Sequence, residues 1–250
     1  MNSFMSSPHD AAGGLRDLEA IVASGRLKVG TTGDYRPFSD KSNGIEEGFD
    51  IAVAERFASR LGLKLELVAT TWPTLMQDLR AGKYDIGMSG ITRTADRRKE
   101  ARFSKGYLIS GKTILVAARN AQRFTSIADI DDKDVRIGVN PGGTNEAFVK
   151  AAIQHAQIEM FSSNLAIPQA VVADRVDVMI TDSVEASYYA GTCDELAAPL
   201  AARPFTCCKL SYMMPGHAKH LQATVDGMMD ALNMTGEMEA LKKKYLHISW

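Results

Sequence analysis

Two segments of the sequence, residues 79–90 and 171–182, repeat one pattern. In each, the end of a helix is followed by a basic residue, an aspartate and an apolar strand that finishes in small polar residues. The segments are Leu79-Arg-Ala-Gly-Lys-Tyr-Asp-Ile-Gly-Met-Ser-Gly90 and Val171-Val-Ala-Asp-Arg-Val-Asp-Val-Met-Ile-Thr-Asp182. Ligands of α/β proteins bind beyond the carboxyl ends of such strands. The repeat therefore predicts two similar α/β lobes with a ligand crevice between them.

Apolar strands alternate with amphipathic helices along most of the chain, which is typical of a parallel sheet wound by right-handed crossovers. The predicted strands are 27–31, 63–68, 84–88, 112–118, 135–139, 158–161, 176–180 and 210–214. The predicted helices are 48–61, 72–81, 94–101, 165–173, 184–190 and 221–245. A further predicted helix is capped by Thr144 or Asn145 and runs to about residue 156. Ser126 and Asp129 open a short helix or turn.

The predicted fold class is α/β, with two Rossmann-like lobes joined by a two-strand hinge. Residues 1–25 form a lead-in, residues 26–114 begin the first lobe, and residues 117–208 form the second lobe. Residues 212–250 return to the first lobe and end in helices. We expect the two chain crossings of the hinge near residues 112–118 and 206–213.

Composition narrows the class of partner. The chain has 250 residues, with 29 Lys and Arg against 30 Asp and Glu, and therefore lacks the basic excess of a nucleic-acid-binding protein. No stretch of 18 apolar residues predicts a membrane span. The first 25 residues show no basic start followed by an apolar core, which predicts no intact signal peptide, although a chain with its leader removed would look the same.

The cysteines and histidines do not form a recognisable motif. The three cysteines are Cys193, Cys207 and Cys208, and the five histidines are scattered, so the sequence predicts neither a zinc site nor a redox pair. A disulfide from Cys193 to Cys207 or to Cys208 and three unpaired thiols are both compatible with these positions.

A glycine-rich turn follows the predicted strand 135–139 and reads Gly142-Gly143-Thr144-Asn145-Glu146. Glycines let a ligand approach the backbone, and free N–H groups at a helix start bind anions. The alternative is an ordinary glycine turn with a helix cap. The turn is not a dinucleotide-binding fingerprint, because G-x-G-x-x-G is absent.

The first lobe has a corresponding segment, Ser89-Gly90-Ile91-Thr92-Arg93-Thr94-Ala95-Asp96-Arg97. Arg97 stands near the start of its predicted helix, where a cation opposes the helix dipole. A bound anion would reverse that cost, since an arginine can grip a carboxylate with two N–H groups. Arg97 is therefore either a surface charge or a carboxylate clamp.

Three further side chains lie just beyond predicted strand ends. Tyr35 and Trp72 are candidates for a ligand platform or for ordinary core aromatics, and the position of Tyr35 at the mouth of the crevice favours the platform. Asp182 is a candidate ligand group or a helix cap.

These residues resemble the amino-acid class of periplasmic solute-binding proteins in the right order from Arg26 onward. The segments that carry the resemblance are Thr31-Thr-Gly-Asp-Tyr-Arg-Pro-Phe38, Gly48-Phe-Asp50, Gly82-Lys-Tyr-Asp85, Gly90-Ile-Thr-Arg-Thr-Ala-Asp-Arg97 and Thr181-Asp182. The resemblance implies a periplasmic-binding-protein-like fold, a periplasmic location and a small ligand in the cleft. It also implies that Tyr35 stacks on the ligand, that Asp182 holds an amino group, and that an α-carboxylate is held by Gly90, Thr92, Arg97 and Thr144.

A second set of segments is similar to the cyclohexadienyl dehydratases, which are enzymes with the same fold. This set is Thr70-Thr-Trp-Pro-Thr-Leu-Met76, Ser110-Gly-Lys-Thr113, Pro141-Gly-Gly-Thr-Asn-Glu-Ala-Phe-Val149 and Asp177-Val-Met-Ile-Thr-Asp182. The similarity implies conversion of prephenate to phenylpyruvate or of arogenate to phenylalanine. Receptors of the class carry Gly-Thr-Thr or Gly-Thr-Ser near 141–146, so Asn145 and Glu146 favour the enzyme.

The reaction expels a ring hydroxyl and carbon dioxide, and therefore needs an acid for the leaving oxygen and cations for the carboxylates. We assign Glu146 as the general acid and Arg97 with Lys112 as the carboxylate clamp. The expected substrate site comprises Tyr35, Trp72, Gly90, Thr92, Arg97, Lys112, Gly143, Thr144, Asn145 and Asp182. The reaction requires neither a metal nor an organic cofactor.

Two other functions compete with the enzyme. A transporter receptor would use the same cleft to bind an amino acid without catalysis, and a sensor module would dock its closed form on a membrane partner. For both the enzyme and the receptor, the expected partner is a small carboxylate and not a nucleic acid. The sequence leaves the oligomeric state open.

Overall fold

A computed structural model describes residues 16–246. Part of the predicted lead-in and the last four residues lie outside this range. The first described helix, α1 (Leu18–Ala23), begins after Asp17, whose side chain accepts the Ala20 N–H. In the described part of the chain, no helix is both long and apolar enough to cross a bilayer.

The first lobe is built on a five-stranded sheet. In spatial order the strands are β4 (Lys64–Ala69), β1 (Arg26–Thr31), β5 (Ile86–Gly87), β14 (Met213–Pro215) and β6 (Ala101–Phe103). β1 pairs parallel with β4 and β5, whereas β14 pairs antiparallel with β5 and β6. The helices of this lobe are α2 (Phe49–Leu61), α3 (Leu75–Arg80), α4 (Arg97–Glu100), α9 (Lys219–Met234) and α10 (Glu237–Tyr245).

The second lobe has its own five-stranded sheet. Its order is β10 (Gln157–Met160), β9 (Arg136–Val139), β11 (Val178–Asp182), β8 (Lys112–Ala117) and β12 (Leu196–Ala197). β8 and β11 are buried along their whole length, which explains why both are apolar runs rather than alternating patterns. A 3-10 turn (Ala118–Asn120) follows β8, and the helices are α5 (Ile127–Ile130), α6 (Thr144–Ala152), α7 (Ala166–Val172) and α8 (Ser183–Thr192).

Separate apolar cores support the two sheets. In the first lobe, α2 and α9 cover one face of the sheet with residues such as Phe57 and Leu221, and Leu75 and Tyr84 cover the other. In the second lobe, Ile137 and Val178 face one core while Met179 faces another. The predicted two-lobe α/β architecture is therefore confirmed.

The first crossing of the hinge lies a few residues earlier than the sequence indicated, whereas the second falls within the expected 206–213. β7 (Leu108–Ser110) pairs antiparallel with β13 (Cys208–Leu210), and these two strands connect the lobes. β8, which we expected to form the first crossing, pairs only with strands of the second sheet. The predicted end of the first segment at residue 114 therefore falls inside a strand of the second lobe, because β7 ends at Ser110 and β8 begins at Lys112.

Three other local predictions were inaccurate. The helix expected from a Thr144 or Asn145 cap begins after Gly143 and ends at Ala152. The strand expected over 210–214 is divided between β13 and β14. The long C-terminal helix is broken at Gly236, where φ is +76°, a left-handed conformation that glycine adopts without strain.

The small two-stranded ribbon β2 (Asp34–Tyr35) and β3 (Ser39–Asp40) stands at the carboxyl end of β1, where it carries Tyr35 to the cleft. All three cysteines are free thiols. Of the two alternatives left open by the sequence, a disulfide or three unpaired thiols, the structure therefore contains the unpaired thiols.

Candidate ligand cleft

A narrow cavity lies between the carboxyl ends of the two sheets. Its lining comes from both lobes and consists of Tyr35, Trp72, Gly90, Thr92, Arg97, Asn140, Gly143, Thr144, Asn145 and Asp182. All the predicted site residues except Lys112 and Glu146 belong to this lining. The cavity measures about 10 Å³, about the space of one water-sized sphere, so the cleft is closed.

Direct contacts between the lobes account for the closure. The Tyr35 hydroxyl donates to Asp182 Oδ2 across the cleft at 2.6 Å. The backbone of Gly142 lies so close to Pro73 that a Cβ at Gly142 would fall 2.5 Å from the Pro73 nitrogen. A Cβ at Gly143 would lie 3.7 Å from the Trp72 ring, which is an ordinary contact. The glycine turn is therefore also a contact between the lobes, and at position 142 it leaves no space for a side chain.

An aromatic wall forms the first-lobe side of the cavity. The Tyr35 ring meets Trp72 edge-on at 5.3 Å and stacks on Phe38 at 5.5 Å. The Trp72 indole N–H donates to Asp34 Oδ1 at 3.0 Å, which fixes the ring at the mouth. The two aromatics that the sequence singled out thus line the cavity, and Tyr35 also belongs to the apolar core of the first lobe.

Gly90 packs against this wall, where there is no space for a side chain. Its φ is +63°, and a Cβ there would lie 2.6 Å from the Phe38 ring and 2.7 Å from the Tyr35 ring. The Gly90 N–H is already donated to Asp50 Oδ2, at 2.6 Å. The resemblance implied that Gly90 binds a carboxylate, but in this closed structure the N–H of Gly90 is occupied.

Arg97 reaches the cavity from the first position of α4. Its Nη1 donates to the Thr92 carbonyl at 3.0 Å, and its own N–H donates to Thr94 Oγ1 at 3.2 Å. No carboxylate of residues 16–246 lies within 4.0 Å of its guanidinium. Burial lowers the pKa of Arg97, while Tyr84 and Asp182 act in the opposite direction. A half-buried guanidinium with a single carbonyl partner has donors left for an anion.

Lys112 lies behind the lining rather than in it. Its Nζ is 2.9 Å from Asp182 Oδ1 and donates to Asn145 Oδ1 at 2.6 Å. Lys112 is 5% exposed and Asp182 is 3% exposed, so this is a buried ion pair. One carboxylate oxygen of Asp182 therefore pairs with Lys112, and the other accepts the hydrogen bond from Tyr35. The charges of Arg97, Lys112 and Asp182 sum to one positive charge at the site.

Asn140 is a lining residue that the sequence analysis missed. It follows β9, and its Oδ1 accepts a 3.4 Å hydrogen bond from Asn145. The available signal was positional, because Asn140 is the first polar residue after a buried strand, as Asp182 is at the end of β11.

Glu146 lies outside the cavity, in the first turn of α6. One carboxylate oxygen accepts the Gly142 N–H at 2.6 Å, and the other pairs with Lys150 at 2.6 Å. These two contacts lower the pKa of Glu146, with Lys150 the larger cause. In this conformation Glu146 is an ionised capping residue, whereas a general acid must hold a proton.

Buried acids behind the lining were also missed by the sequence analysis. Glu185 is fully buried, accepts hydrogen bonds from Thr181 Oγ1 and from Asn164 Nδ2, and has its pKa raised well above the ordinary value by burial. Burial likewise raises the pKa of Asp34. A carboxyl placed among apolar helix positions, as Glu185 is in α8, is the signal that could have identified it.

The sequence matches the family described as bacterial extracellular solute-binding proteins, family 3, over residues 27–248. The chain belongs to this family, and the predicted fold class is confirmed with it.

Within the family, the chain is 37% identical to the cyclohexadienyl dehydratase of Pseudomonas aeruginosa, over 93% of this chain and 87% of that protein. It is 26% identical to the L-cystine-binding protein TcyJ of Escherichia coli, over 91% and 85% of the two chains. A crystal structure of an ancestral amino acid-binding protein, a precursor of cyclohexadienyl dehydratase, superimposes with a TM-score of 0.84 at 37% identity, over 92% of this chain and 99% of that one. The predicted resemblance is thus confirmed, and it includes both an enzyme and receptors.

Proposed function

We propose that this protein is a cyclohexadienyl dehydratase that acts in the periplasm. Its reaction would be the decarboxylating dehydration of prephenate to phenylpyruvate, of arogenate to phenylalanine, or of both. For prephenate, the ring C–O bond breaks as the oxygen takes a proton and leaves as water. The bond from the ring to its carboxylate breaks as carbon dioxide leaves, and that electron pair completes the aromatic ring. One proton is consumed in each turnover.

The buried pair between Lys112 and Asp182 is the observation that carries this proposal. A receptor for an amino acid needs an uncompensated carboxylate for the ligand's ammonium group, and the Asp182 carboxylate is compensated at 2.9 Å by Lys112. Together with Arg97, which has no carboxylate partner in the described chain, Lys112 and Asp182 give these three side chains one net positive charge. A site of this charge favours a dicarboxylate over a zwitterion or a cation.

Each lining group has a role in such a reaction. Arg97 and the N-terminus of α6 at Thr144 would bind carboxylates, and Lys112 would supply positive charge from behind Asn145. The aromatic wall of Tyr35 and Trp72 would hold the six-membered ring and exclude water when the lobes close. No step needs a metal or an organic cofactor.

Glu146 remains our candidate for the general acid. It is adjacent to the lining residues Thr144 and Asn145, and its contacts with Gly142 and Lys150 hold it ionised in this conformation. The proposal requires the carboxyl to leave these contacts and turn toward the substrate. Desolvation and the charge of a dianion would then raise the pKa of Glu146.

The decisive experiment is to mix the protein with prephenate at neutral pH and to follow the absorbance of phenylpyruvate. We expect turnover by the wild-type protein. Glu146→Gln should lower kcat by about 10²–10⁴-fold, the usual contribution of a general acid, and change KM little. Lys150→Gln is the matched control, because it removes the exposed partner of Glu146 and keeps the acid.

Two results would contradict different parts of the proposal. A wild-type protein that binds prephenate without turnover would be a receptor, the alternative for which the lining of Thr92, Arg97, Thr144 and Asp182 also provides. A Glu146→Gln variant with near wild-type kcat would leave the dehydratase assignment intact but exclude Glu146 as the general acid. Asp182 would then be the next candidate.

A further inference from the structure

Asp50 is a fully buried acid in the first turn of α2. It is 0% exposed and lies behind the cavity lining rather than in it. No ion pair of the described chain includes it, and its Oδ1 has no hydrogen-bond partner there. A buried carboxyl of this kind is costly, so the contacts of its other oxygen need an explanation.

Asp50 Oδ2 accepts two hydrogen bonds from different parts of the first lobe. The Gly90 N–H donates at 2.6 Å and the Tyr107 hydroxyl donates at 3.0 Å. One oxygen therefore joins two segments that are separated in sequence by α4 and β6.

The Gly90 side of this junction is the ligand loop, which we define as residues 89–93. Gly90 and Thr92 line the cavity, and the rings of Tyr35 and Phe38 leave no space for a Cβ at Gly90. The loop is tied to one hinge strand by its backbone, since the Arg93 N–H donates to the Lys209 carbonyl in β13 at 3.0 Å.

The Tyr107 side of the junction is the other hinge strand. Tyr107 directly precedes β7, and its N–H donates to the Leu210 carbonyl at 3.0 Å. Its ring stacks on Tyr212 at 4.7 Å. A change in the angle between β7 and the first lobe would therefore move the Tyr107 hydroxyl.

We propose that Asp50 is a positioning residue that couples the ligand loop to hinge strand β7. Its carboxylate ties the loop to β7 as the backbone ties it to β13, so that both hinge strands are held to the residues that meet the ligand. This inference rests on the cleft being the ligand site, as in the proposed function, and is independent of the dehydratase chemistry.

The test uses the full chain without ligand and measures backbone hydrogen exchange by mass spectrometry. Tyr107→Phe removes only the hinge-side hydrogen bond and keeps the aromatic stack. We expect it to raise exchange in the ligand loop by roughly two- to tenfold, the change that loss of one hydrogen bond corresponds to. Asp50→Asn should raise exchange in both segments, and the double variant should add little to Asp50→Asn.

Tyr84→Phe is the matched control. Tyr84 is also a buried phenol of the first lobe, and its hydroxyl donates to the Leu75 carbonyl at 2.6 Å, away from Asp50. It should lower stability without faster exchange in the ligand loop. If Tyr107→Phe raises exchange only around residues 107–110, or affects the ligand loop no more than Tyr84→Phe does, the coupling is absent and the proposal is wrong.

Ligand-free exchange separates this inference from the proposed function. A protein that fails to turn over prephenate would refute the dehydratase and leave the exchange result standing. Coupling that fails while turnover is observed would refute only the role of Asp50.

Discussion

Tyr35 and Asp182 belong to different lobes and share a hydrogen bond of 2.6 Å across the cleft. Tyr35 stands on the ribbon after β1, and Asp182 ends β11 in the second sheet. Because the same two residues line the cavity, closure and the proposed ligand contact involve the same side chains.

Tyr35→Phe should destabilise the closed conformation of the cleft. The variant removes a hydrogen bond to a charged group, which is worth about 1.5–3 kcal/mol, and it leaves Asp182 with Lys112. We expect a larger radius of gyration by small-angle X-ray scattering. Tyr84→Phe serves as the control without an interlobe contact, and an unchanged radius in Tyr35→Phe would show that the glycine turn against Pro73 is sufficient for closure.

Lys112→Met should change the preference of the cleft from keto acids to amino acids. The variant leaves Asp182 without its cation, so that the ammonium group of L-phenylalanine can take its place. The gain relative to phenylpyruvate should be roughly 10- to 100-fold, as one charge-assisted hydrogen bond provides. Calorimetric titration of both ligands measures it.

Lys112→Arg, which keeps the charge, should keep the preference for phenylpyruvate. Since breaking a buried pair costs about 3–5 kcal/mol of stability, the titration of Lys112→Met needs a thermal scan beside it. A folded Lys112→Met protein that still prefers phenylpyruvate would remove the charge argument on which our functional proposal rests.

Arg97→Ala should weaken the binding of any carboxylate ligand by about 2–4 kcal/mol, the range for truncating one partner of a buried charge pair. Arg97 has no carboxylate of residues 16–246 to leave unpaired, so the fold should tolerate the change. Arg98→Ala, an exposed neighbour, should bind as wild type does. Equal affinity of the two variants for phenylpyruvate would place Arg97 outside the ligand contacts.

Asp50 should make the protein less stable as the pH rises toward neutrality. Burial raises the pKa of Asp50 from 3.8 to about 7, against the hydrogen bonds from Gly90 and Tyr107 and the nearby Tyr212 hydroxyl, which lower it. The groups that face the carboxyl are thus a backbone N–H and two phenols, whose pKa values burial raises well above 10.

The folded protein keeps a proton on Asp50 that the unfolded chain releases near pH 4. The stability that this proton contributes is fully present below pH 4 and decreases as the pH rises to about 7. A shift of three pKa units corresponds to about 4 kcal/mol. Urea unfolding at pH 4.5 and 7.5 should show this loss in the wild type and much less of it in Asp50→Asn. Parallel losses in the two proteins would contradict the raised pKa.

The sequence by itself determined the architecture, because the period of its apolar residues is a local property. The paired segments at 79–90 and 171–182 were sufficient to predict two lobes. Strand ends indicated Tyr35, Trp72 and Asp182 as candidates, and a helix start indicated Arg97. Glycines in the turn at 142–143 marked a close approach of backbone, although the partner turned out to be Pro73 and Trp72 of the other lobe.

Only the tertiary structure decided what the charged groups face. Lys112 and Asp182 are 70 residues apart in sequence and become an ion pair because β8 and β11 are neighbours in register, with Asp182 opposite Lys112. The environments of Glu146, Glu185 and Asp50 likewise depend on contacts and burial that no local pattern encodes. The pKa of a carboxyl and the charge of a site are sums over neighbours in space, and the chain acquires those neighbours when its strands pair and its lobes close.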